Sequence, residues 1–116
     1  MFNIRLACEL IKVEKPVKFK IRKRYNKKGT VADHVAFMVN GNVVEHVITI
    51  NMGNVVKDAS EGERDVDTLI VHELIHAWQA EKGYKDNHGK SFQRKVKKVA
   101  GILGMPRLYL SMSDLP

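Results

Sequence analysis

Asp67-Thr68-Leu69-Ile70-Val71-His72-Glu73-Leu74-Ile75-His76-Ala77-Trp78-Gln79 decides how this chain is read. On an α-helix, residues four apart lie about 40° apart around the axis and about 6 Å along it. His72 and His76 therefore project side by side, close enough to share one tetrahedral ion. Glu73 falls about 100° round from His72, so it flanks such an ion without lying between the ligands. That is the placement of a general base for an attacking water.

The rest of the helix tests whether the pattern is chance. With His72 at 0°, Ile70, Leu74, Ala77, Trp78 and Val71 fall on an arc from about 140° to about 260°, and Ile75 extends it. No charge occurs at the apolar positions between Thr68 and Gln79. A helix apolar around most of its circumference is a buried one, and its polar patch is the His-Glu-His group. Asp65 or Asp67 can cap its start and Gly83 its end.

A catalytic zinc takes three protein ligands and keeps a fourth position open. His88, in Asp86-Asn87-His88-Gly89-Lys90-Ser91-Phe92, is the candidate for the third. Gly83 lets the chain leave the helix, and the following loop is long enough to fold back. Gly89 gives the turn conformational freedom. Asp86 is the alternative ligand. Glu81 is disfavoured, because it falls about 180° from His72.

His72-Glu73-x-x-His76, followed by a loop and His88-Gly89-x-x-Phe92, resembles the SprT-like (Spartan-type) zinc metallopeptidases. The resemblance covers roughly residues 43–103. It implies a zincin-like α+β domain holding Zn²⁺ on His72, His76 and His88, with Glu73 catalytic. It also implies peptide hydrolysis of proteins bound or crosslinked to DNA, with DNA switching the protease on. The loop from His76 to His88 is short for the family. A cysteine zinc ribbon, which many members carry at the C-terminus, is not expected from a chain with 1 cysteine.

With 116 residues, 44% of them hydrophobic and 28% charged, a single domain spanning 1–116 is expected. No apolar run reaches membrane-spanning length, and no secretory pattern opens the chain. Cys8, being alone, reads as a small buried hydrophobe and favours a reducing interior; a cytoplasmic protein, bacterial or phage-encoded, is expected.

Residues 3–13 read as a short helix stopped by Pro16. Val17 to Arg22 alternates apolar and basic, as a half-buried strand does. Val35–Val39 and Val43–Asn51 flank Asn40-Gly41, a strong hairpin signal. The expected sheet is a three-stranded antiparallel meander packed on the metal helix. Val47 to Asn51 is the candidate edge strand to which substrate would add, as in zincins. Residues 90–103 form an amphipathic helix with Phe92, Val96, Val99, Ala100 and Leu103 inward. His34 and His46 read as strand or surface histidines, with His46 able to approach substrate. Trp78 reads as core. Tyr109 fits either packing or an oxyanion contact.

The net charge of +7 concentrates in two clusters. Lys18, Lys20, Arg22, Lys23, Arg24, Lys27 and Lys28 form one; Lys90, Arg94, Lys95, Lys97 and Lys98 form the other. Without aromatic interleaving, they suggest sequence-independent, salt-sensitive phosphate contact with DNA. The expected partners are thus a protein substrate and DNA, with no membrane, and the chain is expected to be monomeric. Two other readings remain open: a small peptidase cleaving a specific partner such as a repressor, and a basic nucleic-acid-binding protein with a structural zinc.

Overall fold

A computed structural model describes residues 3–24, 31–54 and 66–105. Its elements are α1 (Ile4–Ile11), β1 (Val17–Arg22), β2 (Ala32–Val39), β3 (Asn42–Asn51), α2 (Val66–Lys82) and α3 (Lys90–Leu103). The fold is α+β, as expected.

Asn3 caps α1, its side-chain oxygen accepting from the Leu6 backbone N–H at 3.1 Å. The hairpin turns at Asn40 and Gly41, with φ of 52° and 80°, the left-handed pair that an Asn-Gly turn supplies. Helix α2 stops at Gly83, where φ is 78°. A residue with a Cβ would be strained there.

The sheet has the order β1-β3-β2. β2 and β3 pair antiparallel, but β1 pairs with β3 in parallel, with Phe19 opposite Ile48. The expected antiparallel meander is therefore corrected to a mixed sheet. Val47 to Asn51 is not an edge, because β3 is the central strand. The physical reason is legible afterwards. β3 buries Val43, His46, Ile48 and Ile50, whereas β1 carries exposed Lys18, Lys20 and Arg22. The apolar strand gains most from having two neighbours. Charged side chains are tolerated at an edge and discourage further pairing.

α2 lies against β2 and β3 on one side and touches α1 and α3 on the others. Thr68 to Ile75 are all buried, as the helical wheel requires. Leu69, Leu74 and Ile75 meet Ile48 and Ile50 from the sheet, Ile11 from α1, and Phe92, Val96 and Val99 from α3 in one cluster. Each such side chain contributes about 1.5–3 kcal/mol when fully removed from water. The metal helix is thus the centre of the core, and its histidines inherit that rigidity. Cys8 and Trp78 pack partly buried at the cluster's margin.

Candidate metal centre and active-site cleft

The Nε2 atoms of His72, His76 and His88 form a nearly equilateral triangle. The sides are 3.2 Å (His72–His76), 3.2 Å (His76–His88) and 3.3 Å (His72–His88). Three nitrogens about 2.0–2.1 Å from one tetrahedral ion lie about 3.3 Å apart. The triangle therefore fits a zinc-sized cation on its face. The tautomer of His76 suits that role. Its Nδ1–H donates to Oε1 of Gln79 at 2.8 Å, which leaves Nε2 as a bare lone pair. Burial pushes the His76 imidazole down to about 4, further lowered by His88 and partly opposed by the Gln79 bond. Burial also lowers His88. Neutral rings are what a cation needs.

Phe92 is the floor of this centre. Its ring stacks on His76 at 4.7 Å between centroids and meets His72 at 4.9 Å and His88 at 5.0 Å. The family-like spacing His88-Gly89-x-x-Phe92 thus has a mechanical meaning. One turn of α3 carries both the third imidazole's anchor and the surface beneath all three rings.

The short loop from α2 to α3 is held by Gln79 and Asp86. The Gln79 amide donates to the Asn87 carbonyl at 2.7 Å and to Ser91 Oγ at 2.9 Å. Asp86 accepts the Ser91 backbone N–H at 2.7 Å and also the Ser91 hydroxyl. Those bonds hold its carboxyl below the usual range. Asp86 thereby ties down the first turn of α3 and stands outside the three-histidine cluster. Gly89 is needed for space: its φ is −79°, and a Cβ would stand 2.9 Å from both Asp86 Cβ and Asp86 O. The left-handed turn falls instead on Asn87, φ 53°.

Glu73 is 1% exposed, and neither carboxylate oxygen has a hydrogen-bond partner among the described residues. Burial, and then Asp33, raise its pKa well above the ordinary value. A buried, unpartnered carboxylate beside a histidine triangle is a base waiting for a proton donor. It opens onto a cleft lined by Asp33, His34, Glu73, His76, Gln79, Ala80, Tyr84, Lys85 and Asn87.

His34 lines this cleft, whereas His46 is fully buried behind it and does not reach the surface. His34 Nε2 lies 2.8 Å from His46 Nδ1, and His46 Nε2 lies 2.6 Å from Glu81 Oε2. Glu81 also accepts the backbone N–H groups of Glu14 and Lys15. It points away from the metal histidines, as the helical wheel requires. Gln79 had a sequence signal, lying three residues after His76 on one helix face. The His34–His46–Glu81 chain had none, because its members come from three elements.

The basic clusters are only partly surface features. Lys18, Lys20, Arg22, Lys23 and Arg24 are exposed, as are Lys90, Arg94, Lys97 and Lys98. Lys95 turns inward instead, its ammonium 4.2 Å from the Trp78 ring centroid and its pKa pushed down to about 8 by burial. Lys27, Lys28, Asp65 and Tyr109 lie outside the described residues. No described helix is long and apolar enough to cross a membrane.

No curated protein sequence and no solved structure matches the chain. A protein-family model does, over residues 4–112, under the description SprT-like family. Because that match runs through nearly the whole sequence and agrees with the histidine cluster, we conclude that this is a zinc metallopeptidase of the HExxH type belonging to the SprT-like family.

Proposed function

We propose that the enzyme hydrolyses peptide bonds in proteins associated with DNA, with His72, His76 and His88 holding Zn²⁺ and Glu73 moving the proton. The observation that carries the hydrolytic part is the unpartnered Glu73 carboxylate beside the Nε2 triangle. When bound, the ion supplies charge to polarise a carbonyl and to make water more acidic. Glu73 takes a proton from the attacking water and delivers it to the amine that leaves. Its raised pKa suits both halves of that cycle. Gln79 and Phe92 keep the imidazoles in place throughout, so little reorganisation accompanies the reaction.

β2 forms the cleft-side edge of the sheet, with Asp33 and His34 on it. An extended substrate strand pairing with that edge would cross in front of Glu73. The zinc, the Glu73 role and the monomeric state are all directly measurable.

The DNA part rests on charge. Lys90, Arg94, Lys97 and Lys98 are exposed on α3, which begins two residues after His88. DNA held along that face would lie near the cleft, and a protein attached to it would reach a high local concentration there. The deciding experiment is cleavage of a DNA-binding protein with and without single-stranded DNA, beside Glu73→Gln. Cleavage that needs both DNA and Glu73 supports the reading. Equal cleavage without DNA leaves a peptidase for a free partner. Zinc binding without any cleavage leaves a structural zinc.

A further inference from the structure

His34 is placed with unusual care for a residue at the rim of a cleft. Its partner His46 is 0% exposed, and Glu81 anchors both from behind. The direction of the hydrogen bonds follows from Glu81. An ionised carboxylate can only accept, so His46 carries its proton on Nε2. A neutral His46 then has a bare Nδ1, which accepts from Nε2–H of His34. A neutral His34 is left with a bare Nδ1. That atom has no partner among the described residues, and the ring lines the same cleft as Glu73 and His76.

We propose that His34 is a catalytic residue whose Nδ1 accepts a hydrogen bond from the N–H of the scissile amide. The proposal rests on the peptidase reading given above. With His46 neutral, His34 offers the cleft an acceptor, whereas the oxyanion role needs a donor. An acceptor suits the leaving group instead. As water adds to the carbonyl, the amide nitrogen becomes pyramidal and must turn its lone pair towards the proton on Glu73. Holding the N–H on the opposite side presents that lone pair. When Glu73 delivers its proton, the nitrogen becomes positive and the bond to His34 strengthens. The C–N bond then breaks, the amine leaves with both hydrogens, and His34 keeps its protonation state. An interaction stronger late in the reaction than in the ground state raises kcat more than it lowers KM.

The test compares a fluorogenic peptide cleaved by the parent enzyme with the matched ester, in which oxygen replaces the scissile N–H. His34→Ala should lower kcat on the peptide on the order of 10- to 100-fold, with little change in KM. It should leave ester hydrolysis within about threefold of the parent. His34→Asn, whose side-chain oxygen can stand near the place of Nδ1, should recover part of the peptide activity. Zinc content should match the parent in both variants. Equal losses on peptide and ester, or no loss on either, would overturn the proposal. A parent that holds zinc and cleaves neither substrate overturns the peptidase reading, and this inference with it.

Discussion

Gln79 ties His76 to the loop that brings in His88. Its Oε1 accepts from His76 Nδ1 at 2.8 Å, while its amide donates to the Asn87 carbonyl at 2.7 Å. One side chain, 3% exposed, thus sets the tautomer of one imidazole and the position of another. Groups of this kind tune metal affinity almost as strongly as the ligands do. Gln79→Ala should therefore weaken zinc about 10- to 100-fold, read by competition with a chromophoric chelator. Unchanged affinity would mean that the Phe92 packing alone orients the rings.

The purified enzyme should carry close to one zinc per chain by elemental analysis. His72→Ala and His76→Ala should remove it, and His88→Ala should weaken it. Asp86→Ala should loosen the first turn of α3 but keep the stoichiometry, since its carboxylate is bonded to Ser91. Loss of the metal in Asp86→Ala alone would make that residue a ligand.

Glu73→Gln should keep zinc and abolish cleavage by orders of magnitude. It should also stabilise the metal-free protein at neutral pH. The native pKa of Glu73 is raised, so the fold binds its proton more tightly than the unfolded chain does. The stabilising contribution is fully present below the unfolded value and lost as pH rises through the native one. The advantage of Gln should accordingly be greatest at high pH and fade towards about pH 4.5. Thermal melts of both chelator-treated proteins across pH would show it.

His34 and His76 act in the opposite sense. Both are held at about 4, below the ordinary 6.5. The unfolded chain takes up protons there that the fold refuses, so their contribution stands above pH 6.5 and falls as pH drops towards 4. Metal-free Glu73→Gln should lose stability more steeply than the parent over this window, because nothing offsets the histidines. Parallel curves would show that the buried glutamate does not titrate there.

Charge reversal at Arg94, Lys97 and Lys98 should weaken DNA binding and flatten its salt dependence, while sparing cleavage of an unfolded peptide. Lys95→Ala should behave differently, because its stem and charge rest on Trp78. It should lower thermal stability by about 0.5–2 kcal/mol with little effect on DNA affinity. Identical behaviour of all four positions would mean that Lys95 also reaches phosphate.

The sequence by itself determined the parts of this protein that depend on local spacing. Four residues on a helix align His72 with His76. An Asn-Gly turn fixes the β2–β3 hairpin. A circumference of apolar residues makes α2 the buried centre, and His88-Gly89-x-x-Phe92 marks the start of α3. Each is a statement about neighbours within a turn or two, where helix and strand geometry leave few choices. Tertiary structure decided the rest. Strand order depended on which strand gained most from two neighbours, so β1 crossed to pair in parallel with β3. Glu81 met His46 because α2 lies against the sheet, and the partners are too far apart in sequence for any periodicity to link them. The histidines at 34 and 46 looked alike in the sequence. Packing buried one and set the other at the cleft beside the zinc-binding triangle, because alternation along a strand fixes a face but not what lies opposite it.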